Sequence, residues 1–562
     1  MSAKPWLDFY PEGTNAEIDP NQYHSLPELF EKSFAAYKDS PAFENFGKVI
    51  SFTELDELST NFASYLANDL GLKKGDKIAL QMPNLLQYPV AMFGALRAGL
   101  TVVNTNPLYT PSEMKHQFND SGAKAIVILE NFACNLEEIL SETPIETVIL
   151  AKMGDMLGGL KGTIINFVVK NVKKMVPPYN LPGAVPFKEA LNLGARKSFD
   201  PPFVSHDDLA FLQYTGGTTG VSKGAMLTHK NMVSNLLQVQ NWMRHGGLEE
   251  GKEIFITALP LYHIFALTCN ALMSVSIGSG NVLITNPRDM KAFIKELGKH
   301  KFTIITGVNT LFNGLLNQEA FHKLDFSALK FGFGGGMAVQ KVVAEKWLEA
   351  TGSTLSEGYG LTEASPVLTS NPLNDQGRVG CIGMPVPSTE IVLLDDSGEP
   401  VPEGEPGELC AKGPQVMKGY WNRPEETEKS FINGWLKTGD IAVMEDQGFF
   451  RIVDRKKEMI LVSGFNVFPN EIEDVIASHP KVLEVGVIGV PDKKSTEAVK
   501  SYIVKQDESL TEDEIKEYCR ERLTPYKCPK HVAFTDELPK SNVGKILRRI
   551  IKEEDAKVNS YE

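Results

Sequence analysis

The first 150 residues alternate between short continuous apolar runs and longer stretches in which apolar residues recur with helical spacing. KIALQMP (77–83) predicts a buried strand, and VAMFGALRAG (90–99) predicts a helix rich in small residues. Further strands are predicted in TVVNTNP (101–107), AKAIVILE (123–130) and IETVIL (145–150). Repeated strand-helix-strand units form parallel sheets covered by helices, so the pattern predicts a layered α/β body.

The pattern changes in the last third of the chain. Residues 377–448 are rich in glycine, proline and turns around short strands such as IVLLD and GELCAKG, which predicts a β-rich subdomain. Beyond IVDRKKEMILVSG, strands in VLEVGVIGV and AVKSYIVK and a helix in TEDEIKEYCRERL predict a compact α+β unit. We therefore expect a large N-terminal α/β body (1–453) and a small, mobile α+β C-terminal domain (454–562).

Length and composition limit the possible functions. A chain of 562 residues exceeds the size at which single cores stop growing, so roughly two to four domains are expected. The 42% hydrophobic and 23% charged content is typical of a globular protein. A formal net charge of −14 argues against a nucleic-acid partner, because that binding depends mainly on Lys and Arg neutralising phosphates.

The cysteines and the N-terminus indicate a compartment. The six cysteines form no CxxC pair and no metal-like cluster, which is typical of buried thiols in a reducing environment. The N-terminus lacks a basic stretch followed by an apolar one, so no secretory signal is expected. Apolar runs stay below the roughly 18 residues of a membrane-spanning helix. These features predict a cytoplasmic protein.

The most informative segment is YTGGTTGVSKGA (214–225), which follows the apolar LAFLQY and precedes a helix expected to begin near Thr228, a strand-loop-helix context. Its glycines permit close backbone approach to a ligand, and its hydroxyls and lysine can donate to phosphate oxygens. These properties suit a triphosphate. The residues concerned are Thr215, Gly216, Gly217, Thr218, Thr219, Gly220, Ser222 and Lys223.

Three other interpretations of this loop are weaker. The GxxxxGK[ST] spacing of a P-loop is absent from the chain. The match of 220–224 to the GxSxG elbow of serine hydrolases requires a strand directly before Ser222, where TGGTT stands instead. A glycine-rich structural turn is the remaining alternative, which only other motifs can exclude.

Those motifs follow in order: SEGYGLTEASP (356–366), WLKTGD (435–440), VDRKKEMILVSG (453–464) and PKSNVGKILRR (539–549). With the loop they resemble the adenylate-forming superfamily of acyl-CoA synthetases, and 433–466 is most similar to the signature of bacterial long-chain fatty acid CoA ligases. The resemblance spans about Phe52 to Arg549. It implies ATP-dependent ligation of a long-chain fatty acid to coenzyme A through an acyl-adenylate, with release of pyrophosphate and then AMP.

The resemblance also implies residues for adenylation. Lys545 contacts the substrate carboxylate and the α-phosphate, Thr362 hydrogen-bonds the α-phosphate, and Glu363 holds Mg²⁺. Thr215 and Lys223 belong to the phosphate loop, whose glycines cradle the β- and γ-phosphates.

Further positions follow for the nucleoside and the acyl group. Tyr359, between Gly358 and Gly360, offers a face for adenine. Asp440 and Arg455 contact the ribose, and His263 lies beside the acyl carboxylate. The run Gly334, Gly335 and Gly336 forms a strand end against adenine and the acyl carbonyl.

By the same resemblance, the C-terminal domain turns about a hinge at 454–457, which includes Lys457, between the two half-reactions. Gly464 then lines a pantetheine tunnel for coenzyme A. Candidate acyl walls are 266–273 and 331–339. Leu267 stands where some relatives have a gating tryptophan, so that gate is not assumed.

The segment KGTIINFVVKNVKKMV (161–176) predicts an amphipathic helix with Lys170, Lys173 and Lys174 opposite its apolar face. It fits contact with anionic lipid of the inner membrane, or a buried helix. Four alternatives for function stay open: a medium-chain or aromatic acid ligase, a carrier protein as acceptor, an inactive nucleotide-binding protein and a hydrolase using Ser222. A homodimer also stays open.

Overall fold

The structure is a computed structural model that describes residues 4–215, 222–463, 465–492, 494–541 and 544–558. Within these ranges, no helix combines the length and the apolar character needed to cross a membrane.

The first strands and helices lie in residues 26–243. The strands are β1 Pro41–Asn45, β2 Lys48–Ser51, β3 Lys77–Gln81, β4 Thr101–Asn104, β5 Ala125–Leu129, β6 Thr147–Ala151, β7 Val185–Pro186, β8 Leu209–Thr215 and β9 Lys223–Thr228. The helices are α1 Leu26–Ala36, α2 Phe52–Ser64, α3 Gln87–Arg97, α4 Pro111–Ser121, α5 Ala133–Ile139, α6 Gly159–Phe167, α7 Phe187–Gly194 and α8 His229–Met243.

Residues 254–385 continue the body. The strands are β10 Ile254–Thr257, β11 Gly280–Leu283, β12 Ile304–Gly307, β13 Phe331–Gly334, β14 Thr354–Gly360, β15 Val367–Ser370 and β16 Met384–Pro385. The helices are α9 Ile264–Ala266, α10 Met273–Ser276, α11 Met290–Leu297, α12 Asn309–Leu316 and α13 Lys341–Thr351.

The last part of the chain is mainly strands. They are β17 Glu390–Leu394, β18 Gly407–Lys412, β19 Phe431–Ile432, β20 Trp435–Met444, β21 Phe450–Arg455, β22 Ile460–Val462, β23 Phe465–Val467, β24 Val482–Asp492, β25 Thr496–Lys505 and β26 His531–Phe534. The helices are α14 Pro424–Lys429, α15 Pro469–Ala477, α16 Glu512–Arg520 and α17 Arg548–Val558.

The strands form four sheets. A seven-stranded sheet has the order β7-β6-β5-β3-β4-β8-β9, and a nine-stranded sheet has the order β16-β15-β14-β13-β12-β10-β11-β1-β2. A five-stranded sheet contains β17 to β21, and another contains β22 to β26. The predicted α/β class, with a large N-terminal body and a smaller C-terminal domain, is confirmed. The strands predicted in 77–150 correspond to β3, β4, β5 and β6.

The expected strand-loop-helix context of the phosphate loop is wrong in one respect. Residues 223–228 form β9, which runs antiparallel to β8 and pairs Lys223 with Thr215. The helix α8 begins only after β9, at a capping box in which Thr228 and Asn231 exchange hydrogen bonds. Pairing with β9 covers the edge of β8, which explains why the chain returns as a strand. A serine elbow needs a helix after the serine, so the hydrolase alternative is excluded.

The segment 161–176 is helical as far as Val172, and most of its side chains are exposed. The α-helix α6 continues into a wider turn over Val168–Val172. Five apolar side chains of this region are exposed, with Leu160 reaching 76% and Val172 63%; the others are Ile164, Phe167 and Met175. The interpretation of this segment as a buried amphipathic helix is therefore wrong.

Candidate active site

Tyr359, Asp440 and Arg455 form one cluster. Tyr359 lies near the end of β14, and its hydroxyl donates to Asp440 Oδ2 at 2.5 Å. Asp440 faces Arg455 across the β20–β21 pair, with 3.4 Å between Arg455 Nε and Asp440 Oδ1. Burial raises the pKa of Tyr359 well above its ordinary value, and the Asp440 carboxylate raises it further. The tyrosine therefore stays protonated and orients the carboxylate.

The glycine run 334–336 lies at the carboxyl ends of neighbouring parallel strands. Gly334 ends β13, where it pairs with Gly307 of β12 and Glu357 of β14. A Cβ on Gly335 would lie 3.1 Å from the Phe265 ring and 3.3 Å from Gly358 O. Gly336 has φ +77°, which favours glycine. The missing side chains thus allow close packing at the carboxyl ends of the strands, which is where open α/β sheets bind their ligands.

Glu363 and Lys223 meet at Tyr420. Thr362, Glu363 and Ala364 form a single 3₁₀ turn after Gly360. The Tyr420 hydroxyl donates to Glu363 Oε1 at 2.6 Å, and Lys223 Nζ lies 4.7 Å from the Tyr420 ring centroid. Lys223 Nζ also lies 2.9 Å from Glu426 Oε2. The structure thus brings together a carboxylate and a cation that are far apart in sequence.

Lys545 approaches this region from the C-terminal domain. The preceding Gly544 has φ +84°, and its carbonyl accepts a hydrogen bond of 3.1 Å from Thr310 Oγ1 of the N-terminal body. Burial lowers the pKa of Lys545 to about 8, and the nearby Arg455 guanidinium contributes. Lys545 is therefore a half-buried ammonium near Arg455 and Asp440.

His263 faces the same space. Its Nδ1 accepts a hydrogen bond from Phe265 N–H at 3.3 Å. Burial lowers the pKa of His263 to about 4, and the charge of Lys545 lowers it further. The imidazole is therefore neutral near pH 7, with its proton on Nε2.

The remaining predicted residues are placed as follows. Thr215 ends β8 opposite Lys223. Lys457 is exposed in the turn between β21 and β22. Gly216, Gly217, Thr218, Thr219, Gly220 and Gly464 lie outside the described residues.

Two contact residues were missed by the sequence analysis. Tyr420 and Glu426 touch Glu363 and Lys223, yet they lie in GYWNRPEETEKS, which has no glycine loop or catalytic pattern. Tyr420 is brought to the site because Ala225 of β9 bridges to it. The only signal was the aromatic pair Tyr420-Trp421 after a glycine, which is common on surfaces.

A narrow apolar cavity of about 20 Å³ lies next to Phe333, the residue before Gly334. Phe333 lines the end of the cavity that is nearer the glycine run. There it contacts the Phe265 ring and the backbone of Gly358, next to Tyr359. Its walls come from α8, β12 and β13 and include Val239, Trp242, Met243, Ile304 and Phe331. The predicted wall segments 266–273 and 331–339 contribute Cys269, Phe331 and Phe333.

The site thus combines the cations Lys223, Lys545 and Arg455 with the oriented carboxylates Glu363 and Asp440, and an apolar cavity lies next to it. The family model of AMP-binding enzymes matches residues 30–421, which is more than half of the chain. The chain belongs to the AMP-binding enzyme family. A second model, the AMP-binding enzyme C-terminal domain, matches residues 471–545.

Other AMP-binding enzymes are similar along nearly the whole chain. A protein named long-chain-fatty-acid–CoA ligase from Escherichia coli O6:H1 is 59% identical over 551 residues, covering 98% of each chain. The ATP-bound structure of MatB from Rhodopseudomonas palustris has a TM-score of 0.78 at 26% identity, covering 95% of this chain and all of that one. An anthranilate CoA ligase has a TM-score of 0.85 at 24% identity, covering 96% and 99%, which supports the fold alone.

Proposed function

We propose that this AMP-binding enzyme joins a long-chain fatty acid to coenzyme A at the expense of ATP, through an acyl-adenylate. The observation that carries the proposal is the proximity of Lys545 to His263, Arg455 and Asp440, the last of which accepts a hydrogen bond from Tyr359. The name and the 59% identity of the Escherichia coli relative support the same activity. The proposed place of action is the cytoplasm.

In the first half-reaction, a carboxylate oxygen bonds to the α-phosphorus of ATP while the bond to pyrophosphate breaks. Lys545 offsets negative charge shared by the carboxylate and the α-phosphate, and neutral His263 lies beside the carboxylate without adding charge. Asp440 and Arg455 hold the ribose, and Tyr359 lies against adenine. Gly334 to Gly336 let the adenylate approach the strand ends.

The phosphate groups have their own set of residues. Lys223 is held by Glu426, and we propose that it exchanges this partner for the β- and γ-phosphates. We propose that Thr215 and residues 216–220 of the loop also contact these phosphates. Gly358 and Gly360 leave space for the nucleotide because they lack side chains, and Thr362 hydrogen-bonds the α-phosphate.

Glu363 fits a magnesium ion. Mg²⁺ is usually held by one or two carboxylates together with substrate phosphates, and Glu363 supplies such a carboxylate with one oxygen fixed by Tyr420. When bound there, Mg²⁺ would neutralise charge on the phosphates of ATP. Tyr420 orients the carboxylate.

In the second half-reaction, the coenzyme A thiol loses its proton, its sulfur bonds to the acyl carbon, and the bond to AMP breaks. Lys545 lies near His263, the residue proposed to lie beside the acyl carboxylate. We therefore propose that the C-terminal domain turns about 454–457 to admit the thiol and brings Gly464 to the pantetheine path. The contact of Gly544 with Thr310 supports the present arrangement as the one for adenylation.

Lys457→Pro is expected to slow thioester formation more than adenylation. Lys457 lies in the turn 456–458 between β21 and β22, and proline fixes φ near about −65° and removes the amide hydrogen. A domain rotation that changes this backbone angle would be blocked. Single-turnover rates of the two half-reactions measure the effect, with Lys457→Ala as the control; an equal loss of both rates contradicts the hinge.

We also propose that residues 160–176 contact anionic lipid at the cytoplasmic face of the membrane, where long-chain fatty acids partition. The exposed Leu160, Ile164, Phe167 and Val172 offer an apolar surface, and the exposed Lys170, Lys173 and Lys174 lie beside it. Each lysine near an anionic surface contributes about 1 kcal/mol of binding.

Changing these three lysines to glutamate is expected to weaken flotation with anionic liposomes by about 100-fold or more. The matched control changes the exposed Lys291, Lys295 and Lys346 to glutamate, which alters the net charge equally on a different surface. Lipid binding that is unchanged, or equally weakened in the control, contradicts the proposed surface.

The function itself is tested by fatty-acid-dependent exchange of pyrophosphate into ATP. Exchange that requires a long-chain acid supports the ligase. Exchange only with short or aromatic acids supports another substrate, and no exchange with any acid supports an inactive nucleotide-binding protein.

A further inference from the structure

The apolar cavity has a defined far end. In α8, Asn235 Nδ2 donates to Val367 O, opposite Gly360, whereas Trp242 Nε1 donates to Asn371 O, so Trp242 and Met243 lie farther from Gly360. In β12 and β13, Ile304 and Phe331 come first and the glycines of the site come last. Trp242, Met243, Ile304 and Phe331 therefore line the end of the cavity that is farther from the site, and Phe333 lines the nearer end. Because the cavity is narrow, an acyl chain must part these walls to enter it.

The turn that follows α8 closes this end. His245 Nε2 accepts a hydrogen bond of 2.9 Å from the backbone N–H of Leu373, which lines the cavity. A Cβ on Gly246 would lie 2.9 Å from Leu373 Cβ and 3.2 Å from Phe331 Cε1. Gly246 thus packs directly on two wall residues. We call His245, Gly246, Leu373 and Trp242 the cavity floor.

The N-terminal segment, residues 4–18, lies against the outer side of the floor. The Tyr10 ring meets the Trp242 ring edge to face, with centroids 5.3 Å apart and an interplanar angle of 89°. The Tyr10 hydroxyl donates to Pro385 O, next to the wall residue Val386. Tyr10 therefore fills the space into which Trp242 would otherwise move.

A second contact fixes the turn itself. Thr14 Oγ1 lies 3.4 Å from His245 Nδ1. Burial lowers the pKa of His245 to about 4, so the ring is neutral. Because Nε2 accepts from Leu373, the proton is on Nδ1, which donates to Thr14. Asn15 N–H donates to Asn241 Oδ1 at 3.1 Å on the last turn of α8.

The ends of the segment are anchored independently of the floor. Trp6 is buried against Phe450 with ring centroids 6.0 Å apart, and Ser388 N–H donates to Ala16 O at 2.9 Å. The segment is therefore held on both sides of Tyr10 and Thr14, so it supports the cavity floor whether or not a substrate is bound.

We propose that the N-terminal segment sets the longest acyl chain the enzyme accepts, with Tyr10 as a positioning residue behind Trp242 and Gly246 as the stop. The inference rests on the proposed fatty acid ligase activity and names what limits its substrate. Shortening Tyr10 lets Trp242 move outward and lengthens the cavity. A larger side chain at Gly246 shortens it.

The test is the ratio of kcat/KM for eicosanoate to that for dodecanoate. Tyr10→Ala is expected to raise this ratio about tenfold or more, because methylene groups that fit a pocket discriminate by about 10-fold to 200-fold. Gly246→Ala is expected to lower the ratio by a similar factor. Tyr10→Phe keeps the ring and should retain the wild-type ratio.

Phe9→Ala is the matched control, because Phe9 is the adjacent aromatic residue and is 45% exposed. Thermal unfolding identifies any variant that fails to fold, in which case the opposite shift in Gly246→Ala decides. Ratios within about twofold of wild type in both variants overturn the inference. A wild-type chain that makes no thioester from any fatty acid overturns the proposed function and this inference together.

Discussion

Lys545→Ala is expected to slow acyl-adenylate formation by about 10²-fold to 10³-fold, the usual loss when one group that stabilises developing charge is removed. Lys545 is a half-buried ammonium near Arg455 and Asp440, and its charge lowers the pKa of His263. Its removal leaves the carboxylate and the α-phosphate to approach each other without a cation between them. Transfer from a preformed acyl-adenylate to coenzyme A should be nearly unchanged.

Single-turnover measurements of both half-reactions check this result. Lys540→Ala is the control, since Lys540 lies in the same segment and pairs with Glu484 at 2.6 Å. The wild-type adenylation rate should also fall as pH rises through about 8, because the charged form of Lys545 is present only below its pKa. Equal loss of both half-reactions in Lys545→Ala would contradict the assigned role.

Arg548→Ala is expected to destabilise the C-terminal domain by about 3–5 kcal/mol, the usual cost of leaving buried charges without a partner. Arg548 contacts both oxygens of Glu473, at 2.8 Å from Nε and 2.5 Å from Nη2. Its Nη1 lies 3.3 Å from Asp454 Oδ1 and also contacts Glu458. One guanidinium thus compensates three carboxylates beside the proposed hinge.

The loss of stability in Arg548→Ala is expected to depend on pH. Burial raises the pKa of Asp454 to about 6 even though Arg548 opposes the shift, and removing Arg548 raises it further. The folded state then binds more protons than the unfolded state above about pH 4, so stability falls as pH rises. The destabilisation should therefore be smaller at pH 5 than at pH 8.

Hydrogen exchange of amides in β24 and α17 measures the free energy of opening. Arg549→Ala is the control, because Arg549 is an exposed neighbour paired only on the surface with Glu553, and its loss should cost at most about 0.5 kcal/mol. A similar loss in both variants, or no pH dependence in Arg548→Ala, would contradict the buried network.

Much of the fold could be predicted because its strands and helices bury apolar residues with a clear period. Strand β3 is an apolar run between polar segments, and α8 begins at a Thr228–Asn231 capping box. The sequence pattern could not predict that residues 223–228 pair with β8. These residues form a strand because they hydrogen-bond to the exposed edge of β8, and their own composition does not favour a strand.

The residues of the candidate site, too, could be predicted only in part. Lys545, Asp440 and Tyr359 stand in motifs with fixed spacing, so the sequence could nominate them. Tyr420 could not be found, because its contact with Glu363 depends on the path of the chain through β9 and β18. The exposure of Phe167 could not be predicted either, because the spacing of apolar residues in an amphipathic helix does not show what covers the apolar face.

The support of the cavity floor by Tyr10 had no sequence signal at all. Tyr10 lies in an irregular N-terminal segment, and its meaning comes from contact with Trp242, which is 2% exposed at the end of α8. Long-range packing of this kind depends on the complete fold.

A chain-length series of fatty acids, supplied with ATP and coenzyme A, tests the proposed ligase activity when AMP and acyl-CoA are recorded in the same reaction. We expect equal amounts of AMP and thioester, with the highest kcat/KM for long-chain acids. AMP without thioester, or preference for short or aromatic acids, would contradict the proposed function.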